Sequence, residues 1–170
     1  MLALSRRGWL YLALAATIAL EIVLGRLNKP LVTAAAPAGI VSFELAHTAE
    51  RSAAIMASWN DDARRAARVS LLVDYLFMIA YPATLALGCV MVAARVQPKR
   101  PRLSSVVRAL AAGALVAGAL DAIENAALLV QLASVAGETA ALVAWGCAGV
   151  KFALVAVAIP AAVPALWLAG

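Results

Sequence analysis

The chain has 170 residues, of which 65% are hydrophobic and 14% are charged, and its mean hydropathy is +0.94. Soluble domains contain about 45–50% apolar residues, so a soluble fold is excluded and the bilayer is the expected solvent. The formal charge of +5 indicates basic loops beside anionic lipid, not nucleic acid, because no basic patch with interleaved aromatic residues occurs. Cys89 and Cys147 lie in apolar runs and form neither a metal-binding spacing nor a disulfide framework.

Four apolar segments are long enough to cross the hydrocarbon core, which needs about 20 helical residues. They are residues 8–25, 69–94, 105–133 and 140–168. We therefore predict an all-α polytopic membrane protein, with residues 1–170 forming a single membrane domain. Its four-transmembrane-helix bundle carries an amphipathic helix in the first, outer connection.

The first span can also be read as a signal peptide. Arg6 and Arg7 precede its apolar run, and small residues follow it up to a candidate cleavage site near Ala36. The run is long for such a peptide, and Glu21 is unusual within one. We predict a retained helix and keep the cleaved signal peptide as the alternative.

The first connection contains an amphipathic outer segment, about 38–66. Apolar residues recur at near-helical spacing over 40–58, Pro37 suits a helix start, and "WNDD" suits its end. We expect this helix to lie on the outer face or over the mouth of the bundle. A second short helix from Asp61 is expected to run into the second span.

Small and rigid residues modify the third and fourth spans. Gly113 and Gly118 lie in an Ala-rich stretch, which lets helix backbones approach closely. Pro160 and Pro164 are expected to kink the end of the fourth span.

Basic residues predict the orientation. The connection 95–104 carries four Lys or Arg residues, and Arg6 and Arg7 precede the first span. The positive-inside rule therefore predicts a multi-pass protein of the bacterial plasma (inner) membrane with both termini and this loop in the cytoplasm. Trp59 is expected at the outer interface.

Ionisable residues inside the spans fall in one half of the bilayer when the spans are aligned at about 1.5 Å per residue. On the third span, Asp121, Glu124 and Asn125 share a face with Leu128 and Gln131. Charged side chains in lipid cost a few kcal/mol, so these faces are expected to point inward. The residues expected to meet inside the bundle are Glu21, Asp74, Tyr81, Asp121, Glu124, Asn125 and Lys151.

The same residues admit a structural interpretation. Lys151 paired with Asp121 or Glu124 could hold the third and fourth spans together, and Asn125 could be an interhelical hydrogen-bonding residue. The carboxyls nevertheless outnumber the ammonium groups inside the spans. The excess is balanced either by protons or by a cationic or polar ligand.

Most site chemistries are excluded by the inventory of residues. Glu44 and His47 have the Glu-x-x-His spacing of di-iron bundles, but such sites need two of these pairs, and His47 is the sole histidine. No nucleophile elbow, nucleotide-binding glycine loop or CxxC motif occurs. We therefore expect no metal and no cofactor.

Several motifs resemble an uncharacterised family of small four-span bacterial integral membrane proteins. The resemblance covers residues 38–155 and rests on Phe43-Glu44, Asp74-Tyr75, Tyr81, Asp121, Glu124-Asn125 and Lys151-Phe152. It implies the four-span topology and no activity.

Our leading hypothesis is an outward-facing intramembrane acidic pocket that binds a small amphipathic or cationic ligand. Asp74, Asp121 and Glu124 would supply negative charge. Asn125 and Tyr81 would orient the ligand, and Lys151 would partly neutralise the site. The ligand-binding set is completed by Glu21, Glu44 and His47.

Two other classes of function stay open. One is a membrane enzyme in which Asp121, Glu124 and Lys151 transfer protons on an isoprenoid or sterol-like substrate. The other is a structural or accessory subunit. The expected partners are membrane lipids and a small amphipathic ligand, with no nucleic acid. Proton-coupled transport is a further option. Four short spans would need a dimer to make a transport path, so a homodimer is a candidate assembly.

Overall fold

The computed structural model describes residues 5–133 and 137–167, and within these ranges every regular element is helical. Four helices are long and apolar enough to cross a membrane, which confirms the predicted four-helix membrane bundle. Residue 168, the predicted end of the fourth span, lies outside the described residues. The helices are α1 Arg6–Asn28, α2 Ile40–Glu44, α3 Ala49–Ala57, α4 Asp61–Val96, α5 Pro101–Ala133 and α6 Glu138–Ala162.

Helix α4 joins the short helix expected from Asp61 to the second span in one element. Asn60 caps it, since its side chain accepts a hydrogen bond from the backbone N–H of Ala63 at 2.8 Å. Asp61 and Asp62 in the first turn complement the helix dipole. Its 36 residues extend about 54 Å, whereas a hydrocarbon core is about 30 Å thick. The helix is therefore long enough to project beyond the membrane.

Helices α4, α5 and α6 pack against one another, whereas α1 lies mainly against α4. Gly118 of α5 meets Pro82 and the carbonyl of Met78 on α4 so closely that a Cβ would lie 2.7 Å from Pro82 Cγ. Gly88 makes a similar approach to Ala162, next to which the chain passes from α6 into a 3-10 turn, Val163–Trp167. The expected close approach is thus observed at Gly118.

The connection between α1 and α4 folds over one end of the bundle, and we call residues 29–60 the cap. Its helical segment was predicted as one helix over 40–58, but it forms two, α2 and α3. The break has a local cause: the Thr48 hydroxyl accepts a hydrogen bond from Arg51 N–H at 3.1 Å and starts α3 as its N-cap. We call the membrane end that carries the cap the cap end, and the end with the 97–100 connection the loop end.

The cap has its own apolar core. Trp59 and Phe43 meet edge to face with ring centroids 5.3 Å apart, and both are buried with Ile55 and Leu71. The indole N–H of Trp59 donates to the carbonyl of Leu31 at 2.9 Å. Trp59 is thus buried inside the cap, and the expectation that it lies at the level of the outer interface stays a prediction.

Helix α1 begins after Ser5, whose hydroxyl accepts from Gly8 N–H. Its burial is slight, with Leu10 the one fully buried residue of the helix. Ala36, the candidate cleavage position, is buried in the cap. The choice between a retained helix and a signal peptide stays a prediction.

The contact at Gly118 gives the first test. Gly118→Ala places a methyl group against Pro82 and the Met78 carbonyl, so we expect a loss of about 1–3 kcal/mol in the free energy of unfolding. Denaturant titration in micelles measures it. The matched control is Gly149→Ala in α6, where a Cβ meets nothing within 4 Å, and helix propensity predicts a neutral or slightly stabilising effect. Equal stability of the two variants would contradict the packing described.

Candidate functional site

Lys151 of α6 is surrounded by carboxyl groups from α5 and the cap, and we call these four side chains the ionic cluster. Its Nζ lies 2.8 Å from Asp121 Oδ1, 2.9 Å from Glu124 Oε2 and 3.6 Å from Glu44 Oε2. Glu124 has no exposed surface, Asp121 is 3% exposed and Lys151 is 6% exposed. The long lysine side chain is therefore held inside the protein by three partners on two elements, α5 and α2.

Asn125 links this cluster to α4. Its side-chain N–H groups donate to Asp74 Oδ2 at 2.8 Å and to the Leu71 carbonyl at 3.2 Å. Asp121, Glu124 and Asn125 lie one turn apart on the buried face of α5, as the spacing predicted. The polar residues of α4, α5 and α6 thus meet at the cap-end half of the bundle.

Charge in this region is not balanced by the protein. Four carboxyl groups face one ammonium, and among the described residues Asp74 forms no ion pair. In a medium of low dielectric constant, uncompensated carboxylates are costly. The region therefore has the composition to hold protons or a cationic group.

Glu44 brings the cap into this electrostatic system. It lies outside the spans and is 9% exposed. Desolvation raises the pKa of Glu44 above the ordinary glutamate value, the Lys151 ammonium opposes the rise, and the Asp121 carboxylate adds to it. The cap is thus joined to the bundle by a carboxyl for which burial disfavours ionisation.

A cavity of about 550 Å³ lies between α1, α4, α6 and α2. Most of its lining is apolar, and Asp121 is the residue that α5 contributes. The polar residues that line it are Thr17, Glu21, Asn28, Glu44, Ser70, Asp74, Tyr81, Thr84, Asp121 and Lys151.

Tyr81 lies in the wall of this cavity and is 7% exposed. Its hydroxyl makes no hydrogen bond of good geometry with the described residues, but the Asp121 carboxyl lies close enough to interact with it. Tyr81 therefore adjoins the acidic side of the ionic cluster.

Three residues of the predicted ligand-binding set do not line the cavity. Glu124 and Asn125 lie behind the wall and hold Lys151 and Asp74 in place. His47 is exposed, with its ring 6.3 Å from that of Trp145. The break between α2 and α3 explains the position of His47, because it interrupts the continuous helix that would place it one turn from Glu44. Within the described residues, no group of three or more His, Cys, Asp or Glu side chains has the arrangement of a metal site.

The sequence reasoning missed the wall that α1 and the inner part of α4 form. Thr17 and Thr84 are joined through their hydroxyls at 3.0 Å, and both line the cavity. A signal was present: Leu10, Leu14, Thr17, Glu21, Leu24 and Asn28 follow at helical spacing on one face of α1.

Comparisons with protein-family models, with curated proteins and with solved structures found no match for this chain. The resemblance to a family of small four-span proteins stays a prediction, and the function is argued from geometry alone.

The ionic cluster predicts a specific pattern of rescue. Lys151→Met leaves buried carboxylates without their cation, so we expect a loss of about 3–5 kcal/mol in the free energy of unfolding. The triple variant Lys151→Met, Asp121→Asn, Glu124→Gln also removes the two carboxylates nearest to the lost ammonium and is expected to regain part of the loss. Denaturant titration in micelles compares both with Lys99→Met, an exposed control in the loop that should be neutral. The account fails if Lys151→Met is as stable as Lys99→Met.

Glu44 predicts a pH dependence of cap docking. A carboxyl whose pKa is higher in the folded protein binds its proton more tightly there, so its neutral form stabilises the docked cap at low pH. This stabilisation is lost as the pH rises from the ordinary glutamate range through the raised pKa. The fluorescence emission of Trp59, in protein whose other tryptophans are phenylalanine, should then shift toward longer wavelength.

Glu44→Gln is the control for this experiment, because the amide keeps the shape of the neutral acid and does not ionise. Its emission should stay constant over the same pH range. An equal pH response in both proteins would show that Glu44 does not couple the cap to pH.

Proposed function

We propose that the cavity binds a small amphipathic ligand that carries a cationic group. The observation that carries this proposal is the presence of two cavity carboxyls, on Glu21 and Asp74, that form no ion pair with any described residue. Glu21 is exposed on α1, although it was expected to point inward, and Asp74 is partly buried on α4, so the two face the mostly apolar cavity from different walls. An ammonium group supplies the missing counter-charge, and an apolar body fills the remaining space.

The ionic cluster has a different part in this proposal. Lys151 is already paired by Asp121, Glu124 and Glu44, so it neutralises part of the acidic charge and fixes the wall. Asn125 orients the Asp74 carboxyl through the hydrogen bond at 2.8 Å. The ligand cation would therefore lie between Asp74 and Glu21.

A purely structural role explains fewer of these features. Interhelical pairing accounts for Lys151 and the three carboxyls around it. It leaves Glu21 and Asp74 facing a cavity without a cation for them. Ligand binding accounts for both sets of residues, and for this reason we favour it.

We also propose that the protein lies in a bacterial plasma membrane, with its loop end and both termini in the cytoplasm. The support is the basic charge of the loop end and the positive-inside rule. The polar half of the cavity, beneath the cap, would then lie in the outer half of the bilayer. The basic residues are Arg95, Lys99, Arg100, Arg102 and Arg108.

Titration of protein in lipid nanodiscs with octyltrimethylammonium tests the proposed function, with octyl glucoside as the neutral probe of equal chain length. Asp74→Asn and Glu21→Gln should each weaken binding of the cation about tenfold or more, because a hydrogen bond or ion pair to a charged group contributes about 1.5–3 kcal/mol. Neither substitution should change the response to octyl glucoside.

The matched control is Asp62→Asn, whose side chain is 86% exposed outside the cavity. It should bind the cation as the wild type does. Binding that is unchanged in Asp74→Asn and Glu21→Gln, or equal for the cationic and neutral probes, would overturn the proposed function.

A further inference from the structure

The cavity is long and its polarity is graded from one end to the other. On α1 it is lined from Leu10 to Asn28, a distance of about 27 Å along the helix, which is close to the thickness of a hydrocarbon core. Apart from the Thr17–Thr84 hydroxyl pair, its loop-end half is lined by apolar side chains, among them Leu14, Leu85 and Ile159. The carboxyls line the other half. A compact ligand would fill only one of these halves.

The cavity has room for an extended hydrocarbon chain. Its volume is about 550 Å³, and its lining extends over about 27 Å of helix α1.

A hydrogen bond joins α1 to a neighbouring element near each end of the cavity. At the loop end, the Tyr11 hydroxyl donates to the Leu166 carbonyl at 3.3 Å and joins α1 to the turn after α6. At the cap end, Asn28 Oδ1 accepts from Ile40 N–H at 2.7 Å and joins α1 to α2. Gly39, at φ +63°, lets the backbone come this close, since a Cβ there would overlap the Asn28 side chain.

The side of the cavity between α1 and α6 is less closely packed than the side between α1 and α4. Among the described residues, α1 packs mainly against α4, and α6 packs against α4 and α5. Two cavity-lining residues of α6, Phe152 and Ile159, are 40% and 46% exposed. In a membrane this exposed strip faces acyl chains, so the cavity communicates with the hydrocarbon core and not with water.

We infer that the ligand is a single-chain amphiphile dissolved in the membrane, with a cationic head between Glu21 and Asp74 and an extended tail running to the loop end. It enters sideways between α1 and α6. This inference rests on the proposed function, which supplies the cationic head, and adds the length of the tail, its direction and its route.

Photolabelling in nanodiscs tests the direction of the tail. The probe is hexadecyltrimethylammonium with a diazirine at the far end of its chain, and specific labelling is the part that excess unlabelled hexadecyltrimethylammonium removes. We expect specific labels at the loop end, around Leu14, Ile159 and Leu166. Specific labels near the cap, or on the lipid face of α5, would overturn the inference.

A substitution that fills the apolar half provides the second measurement. Ile159→Trp should weaken binding of hexadecyltrimethylammonium at least tenfold and leave binding of butyltrimethylammonium unchanged. Val157→Trp is the matched control, because Val157 is 50% exposed on the same helix and does not line the cavity. Equal effects of the two tryptophans, or equal loss for both chain lengths, would contradict an extended tail.

The failures of the two proposals are distinguishable. If short cations bind in a manner that depends on Asp74 and Glu21, but the labels and Ile159→Trp do not follow the tail, the inference about the tail is wrong and the proposed function stands. If neither chain length depends on these carboxyls, the proposed function is wrong.

Discussion

The buried ammonium of Lys151 is the constraint from which the rest of the site follows. A lone charge inside a bilayer is costly, and here it is compensated by Asp121 and Glu124 on α5 and by Glu44 in the cap. These partners determine how α5 and α6 face each other and tie the cap to the bundle. The surplus of carboxyls over ammonium groups is then a property of the whole assembly, which a ligand or protons can balance.

The position of α1 leaves a cavity next to these charged side chains. The three-helix core of α4, α5 and α6 is held by close contacts at Gly118 and Gly88, whereas α1 stands against α4 and leaves a cavity beside α6. The hydroxyl contact between Thr17 and Thr84 and the hydrogen bonds of Tyr11 and Asn28 hold α1 in place. The protein thus combines a tightly packed three-helix core with a first helix that is less closely packed.

The spans and the polar face of α5 could be predicted from the sequence, because hydropathy and helical periodicity are local properties. The spacing of Asp121, Glu124 and Asn125 alone predicts that they share one face of the helix. The cavity could not be predicted, because it depends on which helix α1 packs against, and this is not a local property of the sequence. The exposed position of His47 could not be predicted from apolar spacing either. Thr48 caps α3 and so interrupts the helix that this spacing predicts. The spacing likewise could not show that Glu124 and Asn125 lie behind the wall.

The most direct test of the account observes the Lys151 ammonium itself. The chain has three lysines, Lys29, Lys99 and Lys151, so NMR of protein labelled with ¹⁵N-lysine resolves few side-chain signals. The account predicts that one ammonium exchanges its protons with water far more slowly than the other two, and that this signal is lost in Lys151→Met. Three ammonium groups that all exchange as freely as exposed lysine would contradict it.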